Sequence, residues 1–208
     1  MADKPEGQGT HNRLADFIYE ALFLKHTPRT GYKFLGRGKE SVAEHSFGVT
    51  LVSFALARMS GKADLERLLK MALFHDLAEA RTGDLNYMNK RYVTAHEGLA
   101  TKDLAEGLPF EGELLGLFRE WKEGASLEAR LAADADQIDM LVELARHRAD
   151  GSEAAAEWIR YALMRLKTEE GKALAQAVLS ASPDGWWFEK KESFWVSPKG
   201  PGDGGDKP

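Results

Sequence analysis

Apolar residues in this chain recur every three or four positions and do not alternate, and that spacing confines it to helices. Leu14, Phe17, Ile18, Ala21 and Leu22 form one stripe, and Leu65, Leu68, Leu69, Ala72, Leu73 and Leu77 form a second. Leu131, Ala135, Ile138, Val142 and Ala145 repeat the pattern. A period near 3.6 places each set on one side of a helix, whereas a half-buried strand needs a period of two. Ser41-Val42-Ala43-Glu44 reads as a capping box that starts a helix running to about Ser60. Further helices are expected over roughly 90–106, 111–123, 152–167 and 169–181. There is no internal repeat. The fold class is all-α, a bundle of about seven or eight helices.

The ends break the pattern. Residues 1–10 carry Gly, Pro and charge without periodicity and are expected as a flexible N-terminal tail. The helical body is expected over 11–182. Trp186, Trp187, Phe188, Phe194 and Trp195 crowd into an aromatic C-terminal arm over 183–197. Such an arm can pack onto the helical body as a short hairpin, or serve as a dimer contact or an active-site cover. The Gly/Pro/Asp string over 198–208 is expected to be disordered.

Charge and composition exclude several classes of function. The 208 residues hold 28 Lys and Arg against 33 Asp and Glu, a net charge of −5, which argues against a nucleic-acid polymer or an anionic membrane as partner. No apolar run approaches the roughly 20 residues needed to span a bilayer, and the polar start MADKPEGQGTHN lacks the apolar stretch of a signal peptide. The expected setting is cytoplasmic. With 0 Cys there is neither a disulfide framework nor a thiol nucleophile, so any metal must be held by histidines and carboxylates.

Four residues carry the chemistry: His45, the pair His75-Asp76, and Asp136. His75-Asp76 lies inside KMALFHDLAEARTGD, where the flanks are apolar, and a carboxylate buried there needs a partner. A divalent cation would supply one. Glu79 follows one turn later over the same side, and Asp84 comes just after Gly83, at an expected helix end. His45 and Asp136 border their own stripes. Two imidazoles and two carboxylates make a mixed nitrogen and oxygen set with room for water, which suits Mn, Fe, Co, Ni or Zn better than Ca or a closed structural zinc. Among the remaining histidines, His11 and His147 read as surface residues. His26 reads as exposed or as a helper near phosphate.

The order H…HD…D on a helical chain resembles the HD-domain metal-dependent phosphohydrolases. The blocks PRTGYKF (28–34), ESVAEHS (40–46), LFHDLAEARTGDL (73–85) and ADADQIDM (133–140) resemble the branch containing the 5′-deoxynucleotidases. The resemblance spans roughly Leu14 to Ala181 and implies the helical HD-domain bundle over 11–182. It implies that His45, His75, Asp76 and Asp136 hold one divalent transition metal ion, with Glu79 and Asp84 as catalytic acids beside it. It further implies that Arg29, Thr30 and the stretch Asp84, Leu85, Asn86 and Tyr87 contact the substrate. Two positions depart from the bacterial pattern: Thr30 stands where a bulky Trp is usual, and Asn86-Tyr87 stand where Pro-Thr is usual. Only His96 lies between the HD pair and Asp136, so a single-metal site is favoured over a dinuclear one.

The implied activity is hydrolysis of nucleoside 5′-monophosphates, deoxynucleotides above all, by a homodimer. The alternatives are an HD-type phosphatase or phosphodiesterase for another phosphate ester, and a non-catalytic nucleotide-binding module. Lys33, Arg37 and Lys39 could assist Arg29 but read mainly as solvated surface.

Overall fold

The computed structural model of the chain describes residues 6–188. Among the described residues ten α-helices follow in order: α1 (Glu6–Leu22), α2 (Tyr32–Leu35), α3 (Val42–Ser60), α4 (Leu65–Phe74), α5 (Glu79–Thr82), α6 (Glu97–Ala105), α7 (Glu111–Glu123), α8 (Leu127–Ala149), α9 (Glu153–Met164) and α10 (Glu169–Ser180). Eight of them run to nine residues or more, in line with the sequence expectation, and 3-10 turns occupy Phe23–His26 and Asn89–Arg91. Among the described residues the extended pairing amounts to one isolated antiparallel bridge, Pro28 to Ser41. That bridge ties the segment carrying Arg29 to the start of α3, through Arg29 N–H to Glu40 O at 2.8 Å and Val42 N–H to Thr27 O at 2.9 Å.

The helix starts follow their caps. Ser41 and Glu44 close the expected capping box, each side chain bonding the other's backbone N–H. A cap of this kind stabilises a helix by about 1 kcal/mol. The side chains of Asp64, Ser126, Ser152 and Thr168 cap α4, α8, α9 and α10 by each accepting one N–H of the first turn. The long helix α8 is the axis of the bundle, with Leu131, Ala135, Ile138, Leu141 and Leu144 buried against α3 and α4 on one side and α9 and α10 on the other. A smaller apolar cluster, including Leu24, Val42, Leu77 and Leu104, joins α3 to α6 and α7. His45 sits just past Val42, so the chemistry lies beside both clusters. Buried Asp134 accepts the N–H groups of Lys167 and Thr168 at 2.7 and 2.8 Å and fixes the entry to α10.

Four expectations need correction. Residues 6–10, expected in the N-terminal tail, already belong to α1. The helix expected over 90–106 begins only at Glu97. Tyr92 and Val93 ahead of it are exposed, so no packing offsets the weak helix propensity of Tyr92, Val93 and Thr94. The second stripe stops short of Leu77, because α4 ends at Phe74 and the chain continues in tight turns. His75 uses its ring Nδ1 to bond Ala72 O, three residues back, and such local side-chain bonds compete with the helical ladder. His147 is buried rather than on the surface, its ring packed edge-on against Tyr32.

The aromatic arm is described only as far as Phe188, where Trp186, Trp187 and Phe188 are exposed in a turn. Phe194, Trp195 and the tail over 198–208 lie outside the described residues, as do residues 1–5.

Candidate active site

Three elements bring the sequence candidates together. His45 comes from the first turn of α3, His75 and Asp76 from the turn after α4, and Asp136 from the middle of α8. Nε2 of His45 lies 3.1 Å from Asp136 Oδ1 and 3.7 Å from Asp76 Oδ2, and Nε2 of His75 lies 3.1 Å from Asp76 Oδ2. The two imidazoles are buried, yet neither Nε2 has a hydrogen-bond partner. The carbonyl of Ala72 can only accept, so the bond of 2.8 Å to His75 puts the ring proton on Nδ1 and leaves a lone pair on Nε2. Orphaned acceptors inside a protein are costly. Two of them aimed at two carboxylates fit a divalent cation, and His45, His75 and Asp76 offer ligand atoms all within 4.8 Å of one another.

The electrostatics show the same demand for positive charge. Burial alone would lower the His45 imidazole, but the carboxylates of Asp136 and Asp139 outweigh it and raise it to about 10. Burial alone would raise Asp136, but His45, His75 and Arg29 hold it well below the usual range. Asp76 is likewise held down, by His75 and then His45 against burial. Glu79 goes the other way. Burial, then Asp76 and Asp84, push its carboxyl up to about 9, and its Oε2 has no hydrogen-bond partner.

Above this floor opens a cavity of about 560 Å³, lined by His75, Asp76, Glu79, Asp84 and Asp136, by Leu85, Asn86 and Tyr87, and by Arg29. Tyr32, Phe34, Met140 and Trp158 give it an apolar wall. Arg29 Nη1 lies 3.6 Å from Asp76 Oδ2 and its Nε 3.9 Å from Glu40 Oε2. Thr30 does not line the cavity. Its N–H donates to Asp84 Oδ2 at 2.5 Å, and its hydroxyl accepts from Asn86 Nδ2 at 3.0 Å. The two departures from the bacterial pattern thus bond to each other. His96 is exposed at the start of α6 and takes no part.

Sequence reasoning missed several neighbours of the site. Asp139 bonds His45 Nδ1 at 2.7 Å. Its spacing of three from Asp136 was the available signal, since such pairs share a helix face. Gln137 donates to Asp136 Oδ2 at 2.8 Å and accepts from Arg165 Nε at 2.5 Å, while the Arg165 guanidinium lies over the Tyr87 ring at 5.4 Å. Lys90 lines the cavity near Glu79 and opposes the rise of its carboxyl. Arg165 and Lys90 carried no local signal at all.

The fold and the His/Asp floor define a helical metal-dependent hydrolase, and the HD domain family model matches residues 22–178. The chain belongs to the HD domain family. It is similar to the 5′-deoxynucleotidase HDDC2 of Bos taurus, 29% identical over 147 residues that cover 68% of this chain and 70% of that one. A conserved hypothetical protein from Pyrococcus furiosus has a solved structure with a TM-score of 0.67 at 32% identity, covering 79% of this chain and 96% of that one. The cyanophage S-2L HD phosphohydrolase DatZ, solved with dA and one catalytic zinc ion, shares the fold at a TM-score of 0.50 and 23% identity, covering 77% of this chain and 92% of that one.

Proposed function

We propose that this chain is a metal-dependent phosphohydrolase that releases inorganic phosphate from nucleoside 5′-monophosphates, deoxynucleotides among them. The observation that carries the reading is the pair of buried, unpartnered Nε2 atoms of His45 and His75, converging with Asp76 and Asp136 beneath a cavity of nucleotide size. The relative named as a 5′-deoxynucleotidase and the fold neighbour that holds dA and zinc support it.

His45, His75, Asp76 and Asp136 would hold one divalent transition ion (Mn, Co, Fe, Ni or Zn). When bound, such an ion supplies a polarised water and neutralises phosphate charge. Arg29 presents a planar fork that suits two phosphate oxygens and offsets the charge that builds on them. Glu79 keeps its proton at neutral pH in the metal-free site and stands on the cavity wall. We assign it the proton that the leaving 5′-oxygen needs. The Asp84 carboxylate is engaged by Thr30, so its part is to hold the Arg29–Thr30 segment against the loop. Leu85, Asn86 and Tyr87 face the nucleoside.

The homodimer belongs to the same proposal. Phe47, Leu51 and Phe54 follow one face of α3 and stand 72%, 61% and 43% exposed, an apolar stripe that a second copy would cover. Cytoplasmic residence is proposed with it, since nucleoside monophosphates are intracellular metabolites.

The test is phosphate release from a panel of nucleoside 5′-monophosphates, 3′-monophosphates and cyclic nucleotides, with metal-stripped protein and with each metal restored. The 5′-monophosphates should react fastest, and only with metal. Reaction confined to cyclic or diester substrates would make it a phosphodiesterase, and nucleotide binding without turnover under any metal would make it a binding module.

A further inference from the structure

Asp139 lies one turn after Asp136 on α8, yet it stands behind the site rather than in the cavity wall. Its Oδ2 takes the Nδ1 side of the fully buried His45 ring at 2.7 Å. His75 is held differently, by the neutral carbonyl of Ala72. A carbonyl orients a ring, whereas a carboxylate orients it and also makes its far nitrogen a stronger donor. The two imidazoles of the site are therefore held unequally, His45 by a charged group and His75 by a neutral one.

The approach of Asp139 depends on α3. A Cβ on Gly48, three residues after His45, would stand 1.8 Å from Asp139 Oδ1 and 2.7 Å from its Cγ. Gly48 is inside a helix, where glycine costs about 1 kcal/mol relative to alanine. Helix geometry does not ask for it; the carboxylate does. Glu40, His45 and Asp139 also gather closely enough to suggest a second cation. Glu40 Oε2 already accepts from Tyr32 and Nδ1 of His45 is taken, so that cluster is a set of hydrogen bonds.

The geometry points to Asp139 as the positioning residue for His45, with Gly48 as the gap that admits its carboxylate. This rests on the reading of His45 as a metal ligand. Metal-stripped protein is titrated with Zn or Co against a chromophoric chelator, for wild type, Asp139→Ala, Asp139→Asn, Gly48→Ala and Gly116→Ala, and each stripped protein is melted thermally. Asp139→Ala should bind its one ion between about tenfold and a hundredfold more weakly. Asp139→Asn, which can still accept from Nδ1 but carries no charge, should lose less. Gly48→Ala should lose affinity although it removes no polar group. Gly116→Ala, on α7 with nothing within 4 Å of the added Cβ, should bind as wild type. A folded Asp139→Ala with wild-type affinity overturns the inference, even if it melts lower, because its role would then be structural only. If wild type binds no metal, the proposed function falls together with it. Two ions in wild type and one in Asp139→Ala would overturn the inference in favour of a second site.

Discussion

Glu79 is pushed up to about 9 from its ordinary 4.5, first by burial and then by Asp76 and Asp84. In the unfolded chain it ionises near 4.5, while in the metal-free fold it stays neutral until about 9. The unfolded state thus loses its proton first as pH rises. The stability tied to this group is complete below about pH 4.5 and is lost progressively toward about pH 9. One unit of difference is worth about 1.4 kcal/mol. By pH 7 the penalty approaches about 3 kcal/mol, trimmed by the solvent that still reaches the side chain. Glu79→Gln keeps the shape and removes the ionisation. In metal-stripped protein it should raise the melting temperature near pH 7 by at most roughly 6–12 °C. The gain should shrink toward zero as the pH falls to about 4.5. Turnover of the metal-loaded variant should fall about a hundredfold or more, because the proton for the leaving oxygen is gone. Melts at about pH 5, 7 and 9, with phosphate release by the loaded protein, read both effects. An unchanged melting temperature across that range, or near-wild-type turnover, would refute the assignment of the proton to Glu79.

Asp76→Ala should remove bound metal and activity together, read by elemental analysis, whereas His96→Ala, outside the site, should keep both. Thr30→Val should leave metal content intact but free Asn86 and loosen the loop, raising KM for nucleotides with a stability loss of about 1 kcal/mol. Leu51→Glu puts a charge in the middle of the exposed α3 stripe and should convert a dimer to monomers in sedimentation; an unchanged mass would remove that face from the interface.

Much of the fold and of the candidate metal site was legible because the signals are local. A capping box acts over three residues, so Ser41 and Glu44 announced α3 and its first turn. The stripe of Leu131, Ala135 and Ile138 announced α8, and the helix expected over 111–123 matches α7 at both ends. The resemblance carried by four short blocks placed His45, His75, Asp76 and Asp136 in one family pattern, and the structure links the four pairwise, His45 to Asp76 and Asp136 and His75 to Asp76.

What the sequence determined by itself was therefore the class of element, most of the helix boundaries and the type of chemistry. The turn that aims His75 and Asp76 escaped it, because that turn depends on a ring bonding a carbonyl three residues back. The partners of the quartet were decided only in three dimensions. Asp139 behind His45, Thr30 bonded to Asn86, and Arg165 over Tyr87 join residues 94, 56 and 78 positions apart. Periodicity reports which side of a helix is buried, but it holds no information on which distant side chain meets it there. That pairing is set by how the helices pack, α3 against α8 for His45 and Asp139. The same packing raises the ionisation of both His45 and Glu79, but for different reasons: neighbouring carboxylates hold the proton on His45 against burial, and burial, then Asp76 and Asp84, hold it on Glu79.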